Sequence, residues 1–98
     1  MGQWLYFIHA PREDFAATMS EDEKAVFAEH WERLQRLYAE GTVILAGPTL
    51  GRTNTGIAVI EAPDEQTAHQ LMAEDPTIAS ELRGFHVALL RGDAVPGI

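Results

Sequence analysis

Apolar and polar positions follow two different rhythms along this chain, and the switches between them mark out its elements. Residues 3–9, QWLYFIH, are aromatic or branched and stop at Ala10–Pro11, which predicts a first strand. PREDFAATM then reads as a loop. SEDEKAVFAEHWERLQRLYAEG, residues 20–41, predicts a long helix: Ser20 and Glu23 have capping-box spacing, and Gly41 is the usual stop. TVILAGP and TGIAVIEA are short apolar runs joined by the polar TLGRTN, the pattern of a hairpin. PDEQTAHQLMAED predicts a second helix capped by Asp64, with Ala68, Leu71 and Met72 facing inward. GFHVALLRG supplies the last strand.

The order βαββαβ is that of an α+β, ferredoxin-like domain, in which two helices cover one face of a four-stranded antiparallel sheet. The whole chain, 1–98, then forms a single domain with an ordered core of about 3–91 and a tail over 92–98. A domain of this size buries only about 60–65% of the surface of its unfolded chain, so further burial is expected from association. The third strand offers apolar residues to both sides, Ile57 and Val59 to one, Ala58 and Ile60 to the other. With no residues left to cover the second face, a second copy is the expected lid, giving a homodimer about a two-fold axis. The topology also gathers His9, the helix start at Ser20, Gly47–Pro48 and Asp75 at one edge of the sheet.

Charge narrows the choice of partners. Fifteen acidic against seven basic residues give a net charge of −8, which disfavours nucleic acid and anionic membrane surfaces. There is no cysteine, so thiolate chemistry and Cys-ligated zinc are excluded. The opening MGQWLYFIHAPRED lacks a basic region and a long apolar run, so neither a signal peptide nor a membrane span is expected and the location expected is cytoplasmic.

Candidate chemistry centres on His30. Phe27, His30, Leu34, Leu37 and Gly41 are spaced three, four, three and four apart, which puts the imidazole on the apolar stripe of the long helix. A half-buried imidazole needs a partner for its N–H, and Asp75 is the natural carboxylate. Taken alone, Asp75 before Pro76 is more commonly a simple helix cap, and an inward histidine more commonly a structural one bonded to a backbone carbonyl. His9, His69 and His86 have weaker claims. No HxxxH or HxH spacing supports a metal, and no phosphate loop, GxSxG elbow or basic aromatic stripe occurs, so neither metal nor cofactor is expected.

The ordered set PREDF, MSEDE, EH, EGTVILAGP and TGIAVIEAPDEQTAHQLMAEDPTI, over about residues 4–91, closely resembles the YCII-related family. The resemblance implies a dimeric α+β barrel and a His–Asp pair near the subunit interface, which fall by position on His30 and Asp75. It further implies a cofactor-free lyase or isomerase acting by general acid–base chemistry on a small cyclic or aromatic compound, with a dehydrochlorinase among the relatives. Gly47, Pro48, Thr49 and Arg52 are then candidates for holding an anionic oxygen of the substrate, and Tyr6 and Trp31 for lining its pocket. The alternative is a dimeric module that binds or senses a small ligand without turning it over. After the last strand, LLRGD replaces the proline that often follows in the family.

Overall fold

The computed structural model describes residues 2–79 and the backbone of 86–92. Strand β1 (Gly2–His9) is followed by a single helical turn, α1 (Phe15–Thr18), and the long helix α2 (Glu21–Ala39). A hairpin, β2 (Val43–Pro48) and β3 (Gly56–Ala62), leads to helix α3 (Glu65–Ala73), a second short turn α4 (Pro76–Ala79), and strand β4 (His86–Gly92). The strands lie antiparallel in the order β2-β3-β1-β4, so β1 is central and pairs Tyr6 with Ala58 on one side and with Leu89 on the other. The tail expected at 92–98 falls outside the described residues beyond Gly92, as do residues 84 and 85, expected at the start of the last strand.

Alternation along the strands selects the buried face. Trp4, Tyr6 and Ile8 of β1, together with Ala58, Ile60 and Ala62 of β3, point toward the helices and meet Leu34 and Leu37 of α2 and Ala68 and Met72 of α3. Alanine at 58, 62 and 68 keeps these contact positions small, so helix and sheet backbones can approach closely. On the other face Leu5, Phe7, Ile57 and Val59 are half-buried, and Leu45 is exposed.

The helix ends form as the sequence dictates. Ser20 Oγ accepts from Glu23 N–H at 3.2 Å while the Glu23 carboxylate accepts from Ser20 N–H at 2.8 Å, a complete capping box. At the other end Gly41 has φ +84°, which lets Thr42 N–H reach Leu37 O at 2.9 Å and Gly41 N–H reach Tyr38 O at 3.1 Å. One element departs from the expected loop after β1. Phe15 is buried against Phe27, with ring centroids 5.3 Å apart, and this contact draws residues 15–18 into a turn of helix. Strand β2 also carries a bulge: Val43 pairs with Ile60 and Leu45 with Val59, leaving Ile44 without an opposite residue.

Candidate functional site

Asp75 lies where α3 has ended and α4 begins, and both readings of the Asp–Pro step hold at once. As a cap, its Oδ1 accepts from Thr77 N–H at 3.0 Å and from the Thr77 hydroxyl at 2.7 Å. As a partner, it lies 2.8 Å from Nδ1 of His30, to which α2 gives an inward position. Its other oxygen accepts from the Tyr6 hydroxyl at 2.8 Å. The carboxyl group is fully buried, and a side chain so placed persists only because donors surround it.

These contacts fix the protonation pattern. Burial works to raise the Asp75 pKa, yet the hydrogen bond and charge of His30 and the donors of Thr77 outweigh it and hold the group below its ordinary value. Asp75 is therefore an ionised acceptor. His30 must then donate through Nδ1, so a neutral imidazole keeps its lone pair on Nε2. Burial first, then the charge of Asp75 and the hydrogen bond to it, push Tyr6 well above the ordinary phenol value, so its hydroxyl remains a donor.

His30 is also a wall of a cavity of about 230 Å³. Phe15, Phe27, Trp31, Met19 and Ile8 give it an apolar lining, and Tyr6, Gly47 and Pro48 contribute to it as well. The Phe27 ring meets the imidazole edge-on, with centroids 5.3 Å apart. Asn54 and Ala16, also in the lining, close one side of the rim through the bond from Ala16 N–H to Asn54 Oδ1 at 3.2 Å.

Not all of the expected residues converge here. Arg52 is largely exposed and outside the cavity lining; its guanidinium pairs with Glu13 at 2.9 Å and Asp14 at 3.4 Å. The Thr49 N–H is spent on Thr55 O at 2.7 Å and Thr49 does not line the cavity. The hairpin loop that carries these two turns toward the loop preceding α1, so they lie outside the cavity lining that Gly47 and Pro48 share with His30. His9 stacks on Phe7 and lies 3.4 Å from the Thr55 hydroxyl, while His69 is exposed. The backbone of His86 pairs with His9, and its side chain lies outside the described residues. Among the described residues no cluster of three or more His, Asp or Glu side chains could hold a metal ion, and no helix is long and apolar enough to cross a membrane.

Sequence reasoning missed Arg33 and Thr77 as neighbours of Asp75, and it gave Tyr6 only a lining role. Arg33 carried a signal: a charge adjacent to Leu34 and three residues past His30 falls on the same inward side of the helix.

A βαββαβ sheet that holds a buried carboxylate against a helix-borne histidine, at the wall of an apolar ring-sized cavity, defines a class of small α+β proteins with a ligand-sized site. The YCII-related domain matches residues 4–88, and the chain belongs to the YCII-related family. Among solved structures, 5-chloro-2-hydroxyhydroquinone dehydrochlorinase (TftG) from Burkholderia phenoliruptrix AC1100, in complex with 2,5-dihydroxybenzoquinone, has the same fold. The TM-score is 0.63 at 20% identity, over 91% of this chain and 93% of that one. No curated protein sequence matches the chain.

Proposed function

We propose that this protein is a cofactor-free lyase or isomerase in which Nε2 of His30 is the general base and acid, oriented and charge-balanced through Nδ1 by Asp75. The observation that carries this is the conjunction of an ionised buried carboxylate, an Nδ1-bonded imidazole and an apolar cavity walled by that imidazole. An apolar cavity of about 150 Å³ already accepts benzene, so about 230 Å³ suits a substituted six-membered ring. For elimination from a chlorinated hydroquinol, the ring first passes to its keto tautomer, one hydroxyl losing its proton as the chlorine-bearing carbon gains one. Nε2 then takes the proton of a second hydroxyl, its O–H pair becomes a C=O bond, the displaced ring electrons expel chloride with the C–Cl pair, and His30 passes its proton to water. For isomerisation a proton taken from one ring position returns to another carbon. Neither route requires a nucleophile.

The functional unit in this reading is a homodimer, closed over the sheet face that carries Leu5, Phe7, Ile57, Val59 and the exposed Leu45. Sedimentation equilibrium tests the dimer: a monomer at micromolar concentration would remove it from the proposal.

The structural neighbour supplies the first probes. Binding of 2,5-dihydroxybenzoquinone and chloride release from 5-chloro-2-hydroxyhydroquinone are measured for the native chain and for His30→Ala. The expected result is binding by the native protein and turnover lost in a folded His30→Ala. Chloride release at the same rate by His30→Ala would refute the role of His30. Binding of the quinone without turnover of halogenated or enolic rings would favour a ligand-binding module instead.

A further inference from the structure

Arg33 stands one turn beyond His30 on α2, and its side chain is buried. Its Nη2 donates to Leu71 O at 2.8 Å, tying α2 to α3. The other terminal nitrogen, Nη1, lies 3.8 Å from Asp75 Oδ2 and makes no well-formed hydrogen bond among the described residues, though the guanidinium is near enough to the Tyr6 hydroxyl to work against the rise in its pKa. A buried cationic donor left without an acceptor is costly, so its persistence beside Asp75 calls for a reason. The carboxylate is already fully subscribed by His30, Tyr6 and two bonds from Thr77, which keeps Arg33 beyond hydrogen-bond distance. At that distance the guanidinium still acts through its charge.

The charge matters because of what Asp75 does to His30. A carboxylate bonded to an imidazole favours the imidazolium, and an imidazolium has no lone pair on Nε2 with which to take a proton. We infer that Arg33 is a positioning residue, acting through Asp75: its cation offsets the pull of the carboxylate, leaving Nε2 of His30 free to serve as the base. This rests on the general-base reading proposed above. Among the described residues, the charged and titratable groups around the pair are Tyr6 from β1, His30 and Arg33 from α2, Glu74 at the end of α3, and Asp75 itself, with the hydroxyl of Thr77 from α4. Glu74 is exposed, and its Oε1 lies 4.0 Å from Arg33 Nη2, so it screens the guanidinium only weakly.

The test is the imidazole titration of His30, followed by NMR through its Cε1–H resonance. It is run on the native chain and on Arg33→Met, Arg33→Gln, Arg33→Lys and Asp75→Asn. Removing the cation should raise the midpoint in Arg33→Met by about one pH unit, a tenfold change in the protonated-to-neutral ratio. Arg33→Gln, which keeps an N–H for Leu71 O, should do the same, and Arg33→Lys should stay near the native midpoint. An unchanged midpoint in a folded neutral variant would overturn the inference and leave Arg33 as a strut between helices. So would failure of both neutral variants to fold while Arg33→Lys folds, since the charge would then serve the fold. If Asp75→Asn also leaves the midpoint unmoved, the His30–Asp75 reading fails with it; if only the Arg33 variants are silent, that reading stands.

Discussion

Replacing Asp75 with asparagine changes few atoms and reverses the hydrogen-bond logic of the site. The side-chain oxygen can keep both Thr77 donors at the Oδ1 position, but the new amide N–H₂ replaces Oδ2, which had accepted from Tyr6 and lies as close to His30 Nδ1, 2.8 Å, as Oδ1 does. That donor competes with the kept oxygen at Nδ1 and favours the tautomer with its proton on Nε2, in which the nitrogen proposed as the base becomes a donor. In a serine-protease triad the corresponding Asp→Asn change costs on the order of 10⁴ in turnover through this tautomer switch, and a loss of about 10³ to 10⁴ is expected here. Stability falls as well, because Asp75 is fully buried and Arg33, at 3.8 Å, loses its counter-charge. Breaking one side of a buried pair costs about 3–5 kcal/mol, reduced here by the relief of desolvating a carboxylate, which leaves about 2–4 kcal/mol. Imidazole ¹⁵N shifts report the tautomer directly, and urea unfolding reports the stability. A variant whose His30 still carries its proton on Nδ1, or that unfolds at the native midpoint, would refute this account of the site.

Three further outcomes follow from the same contacts. Tyr6→Phe removes one charge-assisted donor from Asp75 and should lower stability by about 1.5–2 kcal/mol in urea unfolding, without opening a cavity of any size. Ser20→Ala removes half of the capping box and should cost about 1 kcal/mol, seen as a lower thermal midpoint with an unchanged far-UV spectrum at 20 °C. Acid unfolding should be governed in part by Glu23, whose pKa the Arg12 hydrogen bonds first, and then the Ser20 N–H, lower from 4.5 to about 2. Between those values the unfolded chain binds the extra proton, so the contribution is complete above 4.5 and is lost as the pH falls toward 2. Glu23→Gln should therefore flatten the stability profile across that window, and an unchanged slope would count against the Arg12 pairing.

Legibility in the sequence tracked how local the determinant was. The capping box, the Gly41 stop and the inward phase of His30 depend on residues within a turn or two of one another, and each is realised in the structure. The meeting of His30 with Asp75 spans 45 residues, and it could be anticipated because the topology brings the end of the second long helix to the same sheet edge as the start of the first. What could not be read was which way loops turn. Thr49 and Arg52 sit beside Gly47 and Pro48 in sequence, yet the hairpin leads them away from the cavity while the glycine and proline line it. The helical turn at Phe15 was hidden for a similar reason, because its cause is the ring of Phe27 twelve residues on. The Asp75–Pro76 step was ambiguous because one carboxylate with two oxygens can satisfy both a cap and a partner.

The unpaired Ile44 in β2 bears on pairing between the sheet edges of different molecules. β2 is an outer strand, and an unbroken outer strand offers evenly spaced amide and carbonyl groups on which another chain can template itself. The extra residue throws that spacing out of step at the second position of a six-residue strand, beside the exposed Leu45. Face assignment along the strand does not depend on it: Val43 opposite Ile60, Leu45 opposite Val59 and Ala46 opposite Ala58 would form a regular ladder without Ile44. Ile44 thus adds no rung to the β2–β3 ladder, and a break of this kind in an outer strand disfavours edge-to-edge pairing between molecules.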